Sequence, residues 1–422
     1  MSTDFDEKNT YEKDLSFEVN NDPHAGTSSN FGAYFNVVCV IAGMGVVQMA
    51  YAFNQSGWFA AFLTVFSCFL CIYTGHVLVK CLYYDGKSRL SGYSAIGEAA
   101  FGKFGKYLVE VFLLCFYFGV GCAFIMLIGI NMKDMIDQTS VHLSLKVWTI
   151  IAAVVIWVPF VIFKTMKEVE ILAVFGTLAT VFTVVVILIV GIGHLDESKQ
   201  YKHEFVHVSG IPIALASISL SFGGSPVFPA VEKTMKTPKS WTKILTCAMV
   251  TTLVLYMLAG VIGYLAYGNS VNSPIFQNFP QGAPLTFAAT AAITIHVLFA
   301  APILLISFSL DIEKWLRIND ECMSQTKQRI VRPVLRTGLM VLFALVSMFV
   351  PAFGDFMSLV GALTNCQIIF VFPVVFYLKL YGWRNIRWYE LILCAIIIVV
   401  GMVSCVLGTI DAVKNLITAL SN

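Results

Sequence analysis

Ser221-Phe222-Gly223-Gly224-Ser225-Pro226-Val227-Phe228-Pro229 lies inside an apolar block, 208–231, and its reading decides the fold. The flanking residues suit a membrane-crossing helix. Two adjacent glycines and two prolines, however, lower helix propensity and delete two backbone donors. A helix interrupted at bilayer depth leaves N–H and C=O groups without water, so protein or ligand must partner them. A second interruption is expected at Ala42-Gly43-Met44-Gly45, in the block 31–53. The two blocks are five spans apart, and this odd spacing turns the second half over relative to the first. Secondary transporters built from inverted repeats break helices near the midplane and bind solute there. The expected solute-binding residues are therefore Ala42, Gly43, Met44, Gly45, Ser221, Phe222, Gly223, Gly224 and Ser225. Half-helix N-termini attract a carboxylate, and free carbonyls attract an ammonium or a coupling cation. A zwitterion answers both. Read alone, Gly43 and Gly45 equally suit close helix packing.

Outward from these breaks, apolar blocks recur at 58–84, 107–131, 147–163, 168–194, 242–267, 285–310, 334–353, 356–378 and 388–411. About eleven helical spans result, each long enough for roughly 30 Å of hydrocarbon. The chain is 58% hydrophobic and 12% charged, against about a quarter charged in soluble domains. Continuous rather than alternating apolar runs select helices over a barrel. The expected fold class is an all-α integral membrane protein, a five-plus-five inverted repeat with broken first and sixth helices. Its transporter domain covers 31–418, with repeats at 31–194 and 208–378 and an accessory span at 388–411. Residues 1–30, rich in Asp and Glu and lacking an apolar h-region, read as a disordered cytoplasmic tail.

Charge placement orients the chain. Only Lys133, Lys146, Lys199, Lys202 and Lys414, of 27 Lys and Arg residues, fall on the side opposite the N-terminus. The positive-inside rule then puts the N-terminus in the cytoplasm and the C-terminus across the membrane. The non-cytoplasmic loops hold no cysteine, and Cys68-x-x-Cys71 reads as two small residues on one helix face. No G-x-x-x-x-G-K-[ST], H-E-x-x-H or C-x-x-C-H is present, and the loop at 311–333 is too short for a catalytic domain. An enzyme, a cofactor, a metal site and a nucleic-acid partner are not expected.

Ionisable residues inside spans are rare and mark function. His296, well inside the eighth span, titrates near neutral pH and suits a proton carrier, or else a neutral ring bonded to a neighbouring helix. Glu110 either serves coupling or pairs with Lys106 one turn back. Glu232 closes the sixth span beside Lys233 and Lys236, as an inner-gate ion pair or a solvated end. Asn36, Asn365 and Gln367 are buried polar residues that require partners, and His76 has a snorkelling or buried polar role.

The ordered set Asn36…Gly43-x-Gly45…Tyr51-Ala52, Tyr73-Thr74-Gly75…Cys81-Leu82-Tyr83 and Tyr93…Ile96-Gly97-x-Ala99-Ala100-Phe101-Gly102 continues through the second half. It adds Val227-Phe228-Pro229…Glu232-x-x-Met235-x-x-Pro238, Gly263-Tyr264-x-x-Tyr267-Gly268 and Pro351-x-Phe353-Gly354…Gly361-Ala362. In these motifs the chain, from Asn36 to Leu416, resembles the amino acid/auxin permease family, in its branch of vesicular GABA and fungal vacuolar amino acid transporters. The resemblance implies the LeuT-like fold and transport of amino acids with protons, in symport or antiport. It also implies a vacuolar or lysosomal-type membrane, with the plasma membrane as the alternative. The chain departs from the family at Ala50, where proline is common, implying a straighter outer half of the first helix. It departs again at Ser225, where histidine is common, which leaves His296 as the imidazole for coupling. Neither break is flanked by an acid, so the expected substrates are neutral amino acids. The expected partners are thus the amino acid, protons and the lipid bilayer. A sensor of the same fold and a sodium-coupled symporter are the alternatives; the inner half of the eighth span offers Ser307 and Ser309 but no adjacent hydroxyl pair, which favours protons.

A tag at the N-terminus should be cytoplasmic and one at the C-terminus should not. Protease protection that places both tags on one side would remove the inverted-repeat reading.

Overall fold

The computed structural model describes residues 26, 28–86, 88–137, 142–162, 169–318, 323–350 and 352–421. Most of the expected tail and Cys322 lie outside them. Helices make up the fold, in the order α1 (Asn30–Ser56), α2 (Phe59–Cys81), α3 (Tyr93–Ile136), α4 (Leu145–Ile162), α5 (Val169–Gly193), α6 (Ile211–Ser221) and α7 (Phe228–Thr234). There follow α8 (Trp241–Tyr267), α9 (Pro284–Trp315), α10 (Gln325–Phe349), α11 (Phe353–Val360), α12 (Phe372–Tyr381) and α13 (Trp388–Ser421). Among the described residues, nine helices are long and apolar enough to cross a membrane, beside the shorter apolar Leu145–Val161 and Val208–Ser221. The protein is a multi-pass membrane protein.

Burial sorts these helices into a centre and a rim. The apolar stretch of α1 is 72% buried, whereas those of α10 and α13 are 22% and 28% buried. Because lipid tails are as apolar as leucine, exposed Val399, Val403 and Val406 on α13 cost nothing there. α1 packs on α8, α5 and α6, and α9 packs on α3 and α5. α13 braces α6 and α11 from outside.

Two sequence expectations are corrected. The sixth span is broken as expected, but the first is not: α1 is one helix through Ala42, Gly43, Met44 and Gly45. Each glycine costs a helix only about 1 kcal/mol, less than leaving backbone groups unpaired in hydrocarbon. Without a proline in α1 nothing forces the break. Second, the tail does not stay solvated to residue 30. Ser28 N–H donates to Thr234 O at 2.8 Å, Lys236 N–H returns a bond to Ser28 O at 2.9 Å, and Ser29 caps α1 through Gly32 N at 3.0 Å. These bonds clasp the entrance of α1 to the end of α7.

A further pair of breaks was not legible as such. α3 kinks at Phe101–Gly102, where Gly102 has φ +63°, a conformation that favours glycine, and its first turns leave the line of the span. Between α11 and α12 the chain winds wider, in π-helical turns at Gly361–Asn365 and Gln367–Val371. Such turns swing side chains out of register and recur at functional sites. Here they aim Asn365 at the end of α6.

The end of α9 and the first half of α10 are tied by a buried ion pair. Arg336 Nε donates to Glu313 Oε1 at 3.1 Å and its Nη1 donates to Phe160 O at 3.1 Å. Both side chains are at most 5% exposed, while the second partner, Arg332 at 3.3 Å, is 41% exposed. Removing one member strands a buried charge, which typically costs about 3–5 kcal/mol. Glu313→Leu should therefore lower the melting temperature of the detergent-solubilised protein by several degrees. Breaking the exposed Lys202–Glu204 pair with Lys202→Met should shift it little, because surface pairs contribute about 1 kcal/mol or less. Equal melting temperatures for Glu313→Leu and the parent would remove this tie from the fold's supports.

Candidate functional site

The interruption of the sixth span runs from the end of α6 at Ser221 to the start of α7 at Phe228. Pro226 and Pro229 lack N–H groups, and together with the adjacent Gly223 and Gly224 they leave the α-helical ladder uncontinued across the segment. It folds instead into tight turns, with Gly223 N donating to Leu220 O at 2.9 Å and Gly224 N to Phe222 O at 2.7 Å. The carbonyls released at the end of α6 go to other helices. Asn365 Nδ2 donates to Ser219 O at 2.6 Å. Tyr256 Oη of α8 lies 2.6 Å from Ser221 O and 2.7 Å from Ile41 O of α1. One phenolic proton serves two carbonyls, so Tyr256 spans α1 and α6 at the level of the break. Its ring meets Phe222 edge-on at 5.1 Å.

Small residues admit these groups. A Cβ at Gly45 would collide with Tyr256 Oη, and one at Gly43 with Nε2 of His296. His296, 3% exposed on α9, thus reaches through α5 and α1, its Nδ1 turned to the backbone of Gly176 and its Nε2 to Gly43. The structure therefore brings His296 and the glycine pair together. Ala42 and Phe222 are fully buried, and Met44 is half-buried against the core. Two buried acceptors at the break have no hydrogen-bond partner, Ser225 Oγ and Asn365 Oδ1, the latter facing Gly223. The crevice along Asn36, Val37, Val40 and Gly224 is too narrow for water. The centre is closed.

Both ends of the closed centre are latched. On one side, Glu232 of α7 is fully buried and takes Arg89 Nε at 2.8 Å and Tyr83 Oη at 2.5 Å. Arg89 also bonds the carbonyls of Pro229 and Leu90. Burial first, then the Glu232 carboxylate, hold the Tyr83 phenol above its ordinary pKa, so it stays a donor. Glu232 is thus an ion-pair member; its partner is Arg89 rather than Lys233 or Lys236. On the other side, Tyr51 Oη of α1 donates to Asp355 Oδ1 of α11 at 2.7 Å, and Asn415 Nδ2 joins at 3.1 Å. Glu110 stands apart from the centre, accepting from Trp315 Nε1 at 3.0 Å, while Lys106 pairs with Glu98 at 3.0 Å.

Sequence reasoning missed Arg89, Tyr256 and Asp355. Arg89 and Asp355 sit at span ends, where charge is ordinary, and tyrosine inside a span is not unusual. Only the need of Ser219 and Ser221 for donors could have pointed to Asn365 and Tyr256.

A broken helix is here clasped against a continuous one, with polar contacts at either end and a narrow centre between. The chain belongs to the transmembrane amino acid transporter family, whose model matches residues 26–414. It is 26% identical to amino acid transporter AVT1B of Arabidopsis thaliana, over 96% of this chain and 75% of that protein. It is 28% identical to AVT1H of the same plant, over 93% and 91%. It is 25% identical to the vesicular inhibitory amino acid transporter of Xenopus tropicalis, over 92% and 77%. Its fold is shared with a sodium-coupled sialic acid symporter, at TM-score 0.58 and 13% identity over 95% and 93% of the chains. An inward-facing structure of Mhp1 matches at TM-score 0.55 and 12% identity over 94% and 92%. The protein is an amino acid transporter of the LeuT-like fold, not an enzyme.

The Cβ of a larger residue at Gly224 would come within 2.6 Å of Phe228 Cε1 and 2.8 Å of Ile41 Cγ1. Gly224→Val should abolish amino acid uptake into proteoliposomes while the protein still inserts. Gly338→Val on α10, where a Cβ meets nothing within 4 Å, should transport normally. Uptake by Gly224→Val at the parent rate would move the binding site away from this break.

Proposed function

We propose that the protein moves neutral amino acids across an organelle membrane of vacuolar or vesicular type, coupled to protons, by alternating access around the α6–α7 break. The observation that carries this reading is the meeting of unpartnered acceptors, shared carbonyls and one imidazole at a single level. Ser225 Oγ, Asn365 Oδ1 and the carbonyl of Ser221 supply acceptors for an ammonium. The start of α7 supplies the positive end of a short helix for a carboxylate. No acid among these groups adds a second cation preference, which fits a zwitterion of zero net charge. The organelle assignment is supported by the family resemblance and by the vesicular relative.

His296 is the titratable group that touches this level, across Gly43. A proton on it would place a charge against α1 one side chain away from the carbonyls of Ile41 and Ser221. That charge favours a neighbouring carboxylate, so proton and substrate occupancy are linked. The inner half of α9 offers Ser307 and Ser309 but no adjacent hydroxyl pair, which supports the proton over a sodium ion.

His296→Gln keeps hydrogen-bonding capacity and loses titration. Exchange of labelled amino acid, which requires no net proton movement, should survive in proteoliposomes, whereas accumulation driven by a pH gradient should collapse. Unchanged pH-driven accumulation by a well-expressed His296→Gln protein would end His296's role in coupling and transfer it to Glu232 or Glu110.

A further inference from the structure

On the non-cytoplasmic side, away from the central break, a recess of ≈ 230 Å³ opens between the end of α3, the start of α9 and the loop that precedes α9. Its lining includes Asp134, Phe276, Thr286, Phe287 and Thr290. The polar atoms in it share one character. Asp134 Oδ2 is buried with no hydrogen-bond partner, and Thr286, 6% exposed, has an unpartnered Oγ1. One turn below Asp134 on α3, fully buried Asn131 spends its Nδ2 on Thr294 Oγ1 at 2.9 Å and leaves its Oδ1 unpartnered. Thr294 in turn donates to Thr290 O at 2.6 Å. A polar seam of acceptors therefore descends from the recess between α3 and α9. The adjacent cation, Lys133, is held by Asp137 and does not answer them.

Buried acceptors in a membrane protein are expensive unless a donor reaches them. A carboxylate, a hydroxyl and an amide oxygen in one seam call for a compact cation that carries several N–H or metal-ligand directions. The walls decide which. Phe276 and Phe287 bring aromatic rings to the lining, a residue type that suits organic ammonium ions, and the volume exceeds that of a bare metal ion. We propose that this recess is a second solute site, which binds the primary ammonium group of an amino acid at Asp134 and Thr286 before it enters, or after it leaves, the central site. This rests on the amino acid transport reading above and extends it to a station that the broken helices do not supply. It also gives the ammonium the counter-charge that the central site lacks.

The test is calorimetric titration of the purified protein with ethylammonium chloride, a probe that carries the ammonium and no carboxylate, against sodium chloride at matched ionic strength. Ethylammonium should bind the parent, and Asp134→Asn should weaken it about tenfold, as expected for loss of one partly shielded charge pair. Thr286→Val, which changes shape little, should weaken it several-fold and guards against a misfolded Asp134→Asn protein. Ethylammonium binding that is equal in all three proteins would overturn the proposal. So would heat from sodium chloride that is lost in Asp134→Asn, because the occupant would then be an inorganic cation. Labelled alanine uptake by the parent separates the two readings: ethylammonium binding that depends on Asp134 without any amino acid uptake would defeat the transport reading and leave the recess site standing.

Discussion

A carbonyl buried at the depth of a bilayer must be given a proton, and the carbonyls of Ser219 and Ser221 set the arrangement around them. They are released because Gly223 and Gly224 turn their N–H groups back to Leu220 O and Phe222 O, and Pro226 disfavours a helical Ser225 that would resume the ladder. Asn365 reaches Ser219 only because the chain winds into π-turns at 361–365. Tyr256 reaches Ser221 only because Gly45 has no side chain in its way. Four helices are thereby held in register by hydrogen bonds that exist to satisfy one interruption. The same constraint explains why the centre is both polar and narrow. Each donor recruited to a free carbonyl fills space with an aromatic ring or an amide, and what is left over is acceptor.

The ion pairs divide by what surrounds them. Glu313 and Arg336 brace helices at the rim, where the pair is nearly sealed from solvent and its geometry is reinforced by the carbonyl and ring of Phe160. Glu232 and Arg89 hold the half-helix α7 against the loop after α2. The second pair is the more separable, since Arg89 remains 18% exposed and can recover water if the contact parts. A polar contact that is sealed tends to be scaffold, and one with an exit to water can open and close. Tyr51 and Asp355 form the corresponding contact on the far side, with a neutral donor in place of a cation.

Much of this was legible in the sequence. Span positions follow from apolar runs alone, and the sixth break follows from proline chemistry, which acts locally. The first break did not materialise because two separated glycines only permit an interruption, whereas the sixth span combines an adjacent glycine pair with two prolines. Gly43 and Gly45, expected as part of an interruption, are instead seats for His296 and Tyr256 in a continuous helix. Partners were the illegible part. Nothing local to Arg89 announces Glu232, 143 positions away, and nothing local to Tyr256 announces Ile41. Such pairings come from tertiary packing. In this chain, sequence exposed only the needy half of each pair, the glutamate or the carbonyl.

The continuity of α1 has a mechanical meaning. Its 27 residues make a rod of roughly 40 Å, long enough to reach both faces of the bilayer. A stiff rod cannot lean at one end alone. It is clasped to the end of α7 through Ser28 near its entrance and tied to Asp355 through Tyr51 near its exit, while its closest neighbours crowd the glycines midway between. Those glycines mark where a rod so held would pivot, against Tyr256 and His296, and a rod pivoting there would carry its two ends in opposite directions.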